Sequence, residues 1–209
     1  MQLTIKELTY ISQIIRVTKL VGVPTFKRLT AQDKKEVFQS LQEKGIIKEH
    51  TLSEKGKAVS TSLELYSTAT QYLKFGDTVF AQYEDKEYIM LGKKEEIYHL
   101  ELIEQDYITI ALLSKFKDMD KIEEKRFRKK KVSTEEFQRK IEFFEENGLF
   151  YYKVNTESND VDSGVLYIED GYLQKYSASK EELEMYPKSR VQRGIEKLFI
   201  WGVNYGKRK

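Results

Sequence analysis

The chain of 209 residues is long enough for one large domain or two small ones. Its 36 Lys and Arg residues nearly balance 34 Asp and Glu residues, so no whole-protein field attracts a polyanion and any basic site must be local. The absence of cysteine excludes disulfides, thiol catalysis and cysteine metal sites. The sequence opens without a signal core, and no apolar run approaches the roughly 18 residues of a spanning helix. We therefore expect a soluble cytoplasmic protein.

Two helices are predicted near the start of the chain. Thr4 and Glu7 have capping-box spacing at the start of a helix that should extend to the sequence VGVP. Thr30 and Asp33 repeat this spacing, and Gly45 should end the second helix in the left-handed conformation. The apolar pair that follows Gly45 predicts the start of a strand.

A third helix and a strand meander are predicted next. The helix starts in the sequence LSEKG and should end near Gly76. Three runs rich in β-branched and aromatic residues follow, separated by short polar turns: TVFAQY, EYIMLG and IYHLELI. They predict three antiparallel strands. The next segment, YITIALLSKF, fits a strand or a helix equally well.

The second half alternates between charged and aromatic segments. Ser133 and Glu136 should cap a helix that stops at Gly148, and the following LFYYKV should form a strand. The polar sequence NTESNDVDSG is expected to be a flexible loop.

The end of the chain is predicted to contain a hairpin and a helix. Asp170 and Gly171 form the pair expected at a tight hairpin turn. A closing helix is predicted from a cap at Ser179, interrupted at Pro187 and resumed at Val191.

A shift of 103 residues aligns the second helix with the later one without a gap. The shift places Thr30 on Ser133, Glu43 on Glu146, and Gly45 on Gly148. We expect one α+β domain, residues 1–209, built as two pseudo-symmetric halves, 1–103 and 104–209. An antiparallel sheet flanked by helices would join them. The alternative explanation is that two unrelated helices share the same capping residues and terminal glycine. Only one glutamate pair and one glycine pair are identical between the two aligned segments.

Groups suited to catalysis or metal binding are scarce. The only histidines, His50 and His99, have no further histidine or carboxylate at ligand spacing. The glycines form neither a phosphate loop nor a dinucleotide fingerprint. The sequence NDVDSG is similar to part of a calcium loop, but Gly164 is displaced from the required turn position. With no nucleophile beside a recognisable base, we expect no catalytic residue, metal, cofactor or small-molecule substrate.

The basic run KRFRKKK, residues 125–131, is a local candidate for a polyanion site. However, Glu123 and Glu124 precede it, and only Phe127 offers a ring that could stack on a base. A solvated connection is the preferred interpretation, and docking to an acidic protein or membrane surface is the next. The basic tail receives the same interpretation: Lys207, Arg208 and Lys209.

Residues 29–60 also resemble the recognition helix and wing of winged-helix DNA regulators. The residues that would face the major groove are Gln32, Lys34, Lys35 and Gln39. Acidic residues on the same helix would oppose phosphate. This alternative also leaves the remaining strands and the repeat without an explanation.

Three stretches carry a different resemblance: LTIKELTYI, the helix ending in QSLQEKGIIKEH, and LSEKGKAV with the strand meander after it. Together with the half-chain repeat, they resemble the EspG-like chaperones of type VII (ESX) secretion. The sequence also resembles the shorter EsaE-like proteins of Gram-positive bacteria, which are distantly similar to that family. The resemblance covers roughly the first half of the chain, and the second half is matched mainly through the repeat. The proline-bearing segment that mycobacterial members have after the third helix is missing from this sequence.

The resemblance implies a cytosolic, non-enzymatic chaperone that binds a helical secreted effector or toxin protein and targets it to the membrane secretion machine. It implies transient contact with that machinery and no binding of nucleic acid. Aromatic anchors on amphipathic strands suit helix docking, although ordinary sheet packing explains each of them equally well. The candidate partner-binding residues are Tyr83, Tyr88, Met90, Tyr98, Tyr151, Tyr152 and Tyr167. Strand alternation prevents all seven from facing one partner.

Overall fold

The computed structural model describes residues 1–26 and 28–200. The chain divides into two compact units. Unit 1 contains residues 1–72 and 77–104, and unit 2 contains residues 73–76 and the chain from Gln105 onward. Both units combine helices with antiparallel strands, which confirms the α+β class with an antiparallel sheet flanked by helices. The predicted basic tail lies outside the described residues.

Unit 1 combines three helices with a short first strand, a small hairpin and a strand meander. Its elements in chain order are β1 (Gln2–Thr4), α1 (Ile5–Ile14), α2 (Ala31–Glu43), β2 (Ile47–Lys48), β3 (Thr51–Leu52), α3 (Glu54–Thr68), β4 (Gln71–Phe75), β5 (Thr78–Glu84), β6 (Glu87–Lys94) and β7 (Ile97–Glu104). Residues 73–75 of β4 belong to unit 2. The main strands of unit 1 have the order β1-β7-β6-β5, while β2 and β3 pair only with each other.

The capping boxes predicted for α1 and α2 are both present. The backbone N–H of Glu7 donates to the Thr4 hydroxyl at 3.2 Å, and the Thr4 N–H donates to the Glu7 carboxylate at 2.7 Å. Thr30 and Asp33 exchange the same two bonds at 3.0 Å each. Gly45 has a φ of +68°, as predicted for a left-handed helix stop. Local capping chemistry therefore determines where these two helices start.

Two helices end earlier than the sequence predicted. α1 stops at Ile14 rather than near VGVP, because Arg16 takes a left-handed φ of +60° and Val17 N–H donates back to Ser12 O at 2.8 Å. α3 stops at Thr68 rather than near Gly76, because Ala69 is extended and the sequence QYLKF forms β4. Propensity alone does not separate a helix from an aromatic strand that follows it directly.

The predicted meander is confirmed as β5, β6 and β7. These strands pair antiparallel, with Met90 opposite Phe80 on one side and Glu101 on the other. Their two hairpin turns contain non-glycine residues in the left-handed conformation, Lys86 at φ +60° and Glu95 at φ +56°. Unit 1 buries its core between these strands and the helices, and the core includes Leu3, Leu8, Ile11, Leu41, Leu63 and Tyr66, each without solvent exposure.

Unit 2 contains short helices and a second set of paired strands. Its elements after β4 are α4 (Gln105–Leu113), β8 (Arg128–Lys131), α5 (Thr134–Gln138), α6 (Ile141–Asn147), β9 (Leu149–Asn155), β10 (Asp160–Glu169), β11 (Tyr172–Ser177), β12 (Glu182–Tyr186) and α7 (Val191–Glu196). Single 3-10 turns cover Met119–Lys121 and Lys188–Arg190. The strand order is β4-β9-β10-β11-β12-β8.

Two predictions for unit 2 are wrong because polar strands resemble loops and helices in sequence. The expected flexible loop NTESNDVDSG contributes the end of β9 and the start of β10, with only a short turn at residues 156–159. The expected closing helix after Ser179 is the strand β12, Glu182–Tyr186, which pairs antiparallel with β11 on one side and with β8 on the other. Only the part after Pro187 turns helical, as α7. The hairpin turn at Asp170 and Gly171 is confirmed, with φ of +54° and +75°.

Three further segments of unit 2 are an ambiguous apolar run, the helix capped by Ser133 and the basic run. The ambiguous YITIALLSKF is mostly helix, α4. The helix capped by Ser133 is divided into α5 and α6 near Arg139 and Lys140, and it stops at Gly148 as predicted. The basic run, predicted as a solvated connection, is exposed but ends in the strand β8, because its alternating side chains pair with β12.

The predicted duplication stays a prediction. α2 is continuous, whereas the segment 103 residues later is the pair α5 and α6. The same shift places α3 on residues 157–171, most of which form β10. The shared helix and glycine pattern is therefore followed by different elements in the two units.

Candidate partner-binding surface

Four of the seven candidate residues lie in unit 1, and two of them belong to its core. Tyr88 and Tyr98 are 1% and 2% exposed. They lie on opposite faces of the strands, because Tyr98 is paired with Lys93, and Lys93 and Tyr88 of β6 point to opposite faces. Met90 shares the Tyr88 face and is half-buried. Tyr83 is half-buried beside a β-bulge, and its hydroxyl donates to the Glu87 carboxylate, which raises the pKa of Tyr83 to about 12.

The other three candidates lie on β9 and β10 of unit 2, where neighbours in sequence point to opposite faces. Tyr152 is 43% exposed and lies opposite Ser163. We call this side of the unit 2 strands the Tyr152 face, and the other side the Tyr151 face. Tyr167 belongs to the Tyr152 face but is 2% exposed, because the rings of α6 cover it. Tyr151 is also buried.

The Tyr152 face is only partly covered by helices. Phe137 of α5 and Phe144 of α6 pack on its buried centre, which consists of Val165, Tyr167, Tyr176 and Leu183. Phe137 stacks on Tyr176 with ring centroids 3.9 Å apart. This aromatic packing fixes the two short helices on the strands.

Large apolar side chains remain in contact with solvent beside this covered centre. Phe150 and Tyr152 on β9 and Val161 on β10 share the Tyr152 face, and Phe143 projects from α6 with its ring edge-on to Tyr167. Their exposed fractions are 40%, 43%, 48% and 37% in that order. We call these four residues the aromatic surface. A cluster of exposed apolar groups on one face is typical of a protein interaction site.

The Tyr151 face carries a hydrogen-bonded polar network instead. The Asp162 carboxylate accepts hydrogen bonds from the Tyr151, Ser177 and Ser179 hydroxyls at 3.2, 2.8 and 2.8 Å. Burial lowers the pKa of Lys153 to about 8, and its ammonium donates to the carbonyl oxygen of Ile200 at 2.9 Å. These bonds connect strands β9, β10 and β11.

A second part of this network is centred on Glu184. Its carboxylate accepts from Lys175 at 2.8 Å, from Lys197 at 3.0 Å and from the Tyr186 hydroxyl at 2.6 Å. Burial acts to raise the pKa of Glu184, but these three donors outweigh it and lower the pKa to about 2. Both carboxylates are thus held by donors from adjacent strands and the terminal segment, as in a structural network.

Sequence reasoning missed this network because its members are distant in the chain. The sequence predicts a loop at Asp162 and a helix at Glu184, and neither element places the carboxylate beside its lysine or serine partners. The charged alternation in ELEMY was the available signal. Among residues 1–26 and 28–200, no three His, Asp or Glu side chains are grouped as metal ligands.

The winged-helix alternative is not supported. The strands after α2 are only two residues each and lead directly into the 15-residue helix α3, which occupies the position of the wing. Gln32, Lys34, Lys35 and Gln39 are exposed. However, Gln32 donates to Glu36 and Gln39 to Glu43, so acidic groups share that surface and oppose phosphate.

The fold is similar to a solved structure, that of the Mycobacterium tuberculosis type VII secretion system chaperone EspG5 in complex with the PE25-PPE41 dimer. The similarity covers 95% of each chain with a TM-score of 0.62 and 7% sequence identity. At this identity it shows a shared fold, which is therefore EspG-like. The chain belongs to the family described as "Domain of unknown function (DUF5081)", which it matches over residues 1–199. No curated protein matches the sequence. Within the described part of the chain, every helix is too short or too polar to cross a bilayer.

Proposed function

We propose that this protein is a chaperone or adaptor that binds helical effector or toxin proteins of type VII secretion. The observation that carries the proposal is the EspG-like fold, which extends over 95% of the chain. The solved neighbour is a type VII secretion system chaperone in complex with a PE25-PPE41 dimer, so the fold can hold a protein dimer. Chaperone activity would need no catalytic residue.

The aromatic surface is the part of the molecule that best suits such a partner. An amphipathic helix docks by placing apolar side chains against a few large anchors, and aromatic residues dominate the binding energy of such contacts. Phe150 and Tyr152 lie on the same strand face and expose 40% and 43% of their surface. Of the seven candidates, Tyr152 is therefore the leading anchor, with Tyr83 and Met90 next. The buried Tyr88, Tyr98, Tyr151 and Tyr167 would support the strands from within.

The cellular part of the proposal follows from the same fold. A chaperone of this kind would act in the cytoplasm, keep the effector competent for export and contact the membrane secretion machine transiently when it delivers the effector with its secretion partners. The relationship to EsaE-like proteins of Gram-positive bacteria is part of this proposal.

Affinity capture followed by reconstitution tests the proposal. The tagged protein is recovered from its native cells with nuclease treatment, and any stoichiometric helical secretion substrate is purified and recombined with it. We expect a defined complex by size-exclusion chromatography. The double variant Phe150→Ser/Tyr152→Ser should weaken it by about 30-fold or more, because each aromatic anchor contributes on the order of 1–2 kcal/mol.

A matched variant separates the aromatic surface from general apolar exposure. Leu102→Ser removes a 59% exposed apolar side chain from β7 in unit 1 and should leave the complex unchanged. If no secretion substrate assembles with the purified protein, the chaperone proposal is rejected. If the substrate binds but tolerates the double variant, the chaperone proposal stands and the aromatic surface is rejected as its docking site.

A further inference from the structure

The strand β8 has an open edge in the part of the chain that the structure describes. It is the last strand in the order β12-β8, and all four of its residues, Arg128 to Lys131, are exposed. An edge strand leaves one row of backbone N–H and C=O groups without a strand partner. A peptide in extended conformation can add to such an edge and form a further strand.

The register identifies which backbone groups point outward. Val132 N–H donates to the carbonyl of Glu181 at 2.9 Å, so residue 132 forms a hydrogen-bonded pair with β12. Hydrogen-bonded and non-hydrogen-bonded positions alternate along an antiparallel pair. The groups of Lys130 and Arg128 therefore point toward β12, whereas those of Lys129 and Lys131 point to the open edge.

The side chains of β8 make this edge strongly cationic. Lys129 and Lys131 both contact the carboxylate of Glu182, the second at 3.5 Å, so one negative charge is shared by two positive charges. Arg128 and Lys130 lie on the other face, opposite Met185 and Leu183. Within the described residues neither has an ion pair. Glu184 lies opposite Lys129 on the same face, so the four cations of the strand meet two carboxylates, both on the face of Lys129 and Lys131.

This charge decides which kind of strand the edge accepts. Two copies of β8 would place like charges side by side, so the edge disfavours pairing between copies of this chain. An incoming strand with alternating acidic residues would instead place carboxylates beside Arg128 and Lys130. Electrostatic complementarity of this type selects partners more than it adds raw affinity.

A groove lies beside the start of β8, between the residues that precede it and the segment that follows β12. It has a volume of about 380 Å³ and is lined by residues 124–127 with Pro187, Ser189 and Arg190. Its carboxylate, on Glu124, accepts from the Ser189 hydroxyl at 2.7 Å. The guanidinium of Arg190 lies over the ring of Phe127 at 5.9 Å. An acidic side chain or terminal carboxylate of the incoming peptide can therefore meet Arg126 and Arg190 here.

We propose that β8 is a docking edge for an acidic, extended peptide segment of a partner protein, which adds to unit 2 as a strand. The backbone of Lys129 and Lys131 supplies the hydrogen bonds, and Arg128, Lys130 and the groove supply the charge preference. This site is separate from the aromatic surface and does not depend on a secretion substrate binding there.

The test measures binding of synthetic peptides to the full chain by fluorescence anisotropy. The probe is a labelled 12-residue peptide of alternating Glu and Thr. We expect saturable binding. A peptide with the same sequence and charge, N-methylated at every residue, cannot form the strand ladder on either edge and should bind at least about tenfold more weakly. A Lys and Thr peptide should not bind.

Protein variants locate the peptide. Arg128→Glu/Lys130→Glu should weaken binding by about tenfold, because two attractive contacts become repulsive. Lys34→Glu/Lys35→Glu makes the same charge change on exposed α2 and should have no effect. Lys129→Pro removes an outward N–H without disturbing the ladder to β12, and it should weaken binding more than Lys129→Ala.

Several results would overturn the proposal. Equal binding of the N-methylated peptide to the unaltered protein would show charge attraction without strand addition, whatever the variants do. The absence of saturable binding would remove the site altogether. Tighter binding of duplex DNA or phosphatidylserine vesicles that depends on Arg128 and Lys130 would assign the edge to a polyanion instead.

Discussion

Replacing Glu184 with glutamine should destabilise the protein by about 3 kcal/mol at pH 7. Glu184 and Lys175 have side chains only 11% and 12% exposed, so their ion pair is largely shielded from water. Removing one partner of such a pair costs about 3–5 kcal/mol, because the other charge stays buried. We expect the lower end of this range, since Lys197 is 30% exposed and glutamine still accepts from Tyr186. The lowered pKa agrees, because a fall from 4.5 to about 2 corresponds to at most about 3 kcal/mol before solvent screening.

The pH dependence gives this prediction a second, independent readout. The pKa of Glu184 is lower in the folded state than in the unfolded chain, so its contribution to stability is complete above about pH 4.5. The contribution is lost as the pH falls from there toward about 2, where the folded carboxylate becomes protonated. The difference in unfolding free energy between the wild type and Glu184→Gln should therefore shrink over this interval.

Urea denaturation followed by circular dichroism measures both effects, with Glu145→Gln on exposed α6 as the matched control. The double variant Lys175→Met/Glu184→Leu should recover much of the loss, because a buried ion pair can be replaced by apolar residues at little cost. The reasoning is refuted if Glu184→Gln costs no more than Glu145→Gln at pH 7. It is also refuted if the cost does not change between pH 7 and pH 2.

Two further predictions concern other positions. Glu7 is 1% exposed and accepts from Lys44 and the Ser40 hydroxyl at 2.7 Å each, so Glu7→Gln should lower the unfolding free energy by about 1–2 kcal/mol. Burial raises the pKa of Glu7, but these donors outweigh it, so the pKa is lowered. The loss of unfolding free energy in Glu7→Gln should therefore become smaller as the pH falls below about 4.5. A loss that stays constant with pH would contradict this assignment. A Cβ at Gly164 would overlap the Tyr176 carbonyl oxygen, so Gly164→Ala should cost about 2 kcal/mol or more. Gly45→Ala meets no atom within 4 Å but has a φ of +68°, so it should cost only about 1 kcal/mol, and equal melting temperatures for the two variants would argue against the predicted clash.

The parts of the fold that the sequence predicts correctly are those controlled by contacts close in the chain. Thr4 and Thr30 each lie three residues from their capping partner, and the Asp170 turn lies between adjacent strands. The sequence predicts a helix in place of the strand β12, because the lysines that its glutamates face are distant in sequence. β8 illustrates the same limit: a lysine-rich segment becomes a strand only when a neighbour provides the ladder.

For the candidate site, the sequence predicts the strands but not which of their aromatic side chains are exposed. Aromatic enrichment correctly indicates the strands, yet it does not tell which rings are covered. Tyr151 and Tyr152 are adjacent in sequence and differ by about forty percentage points in exposure, at 3% and 43%. Period-two alternation predicts that they point apart. It does not predict which face the short helices α5 and α6 cover, because that depends on tertiary packing.

The residues at the two left-handed turns of the unit 1 meander can be replaced, in evolution or by engineering, without loss of the strand pairing. Lys86 and Glu95 have a Cβ in a conformation that costs roughly 1 kcal/mol compared with glycine. The strands keep their register regardless, because packing of buried cross-strand neighbours such as Val79, Leu91 and Leu100 fixes it independently of the turn. Glycine or asparagine at both positions should therefore raise thermal tolerance while leaving the aromatic surface and the basic edge untouched. Such a variant would be a suitable starting material for isolating complexes that survive prolonged purification.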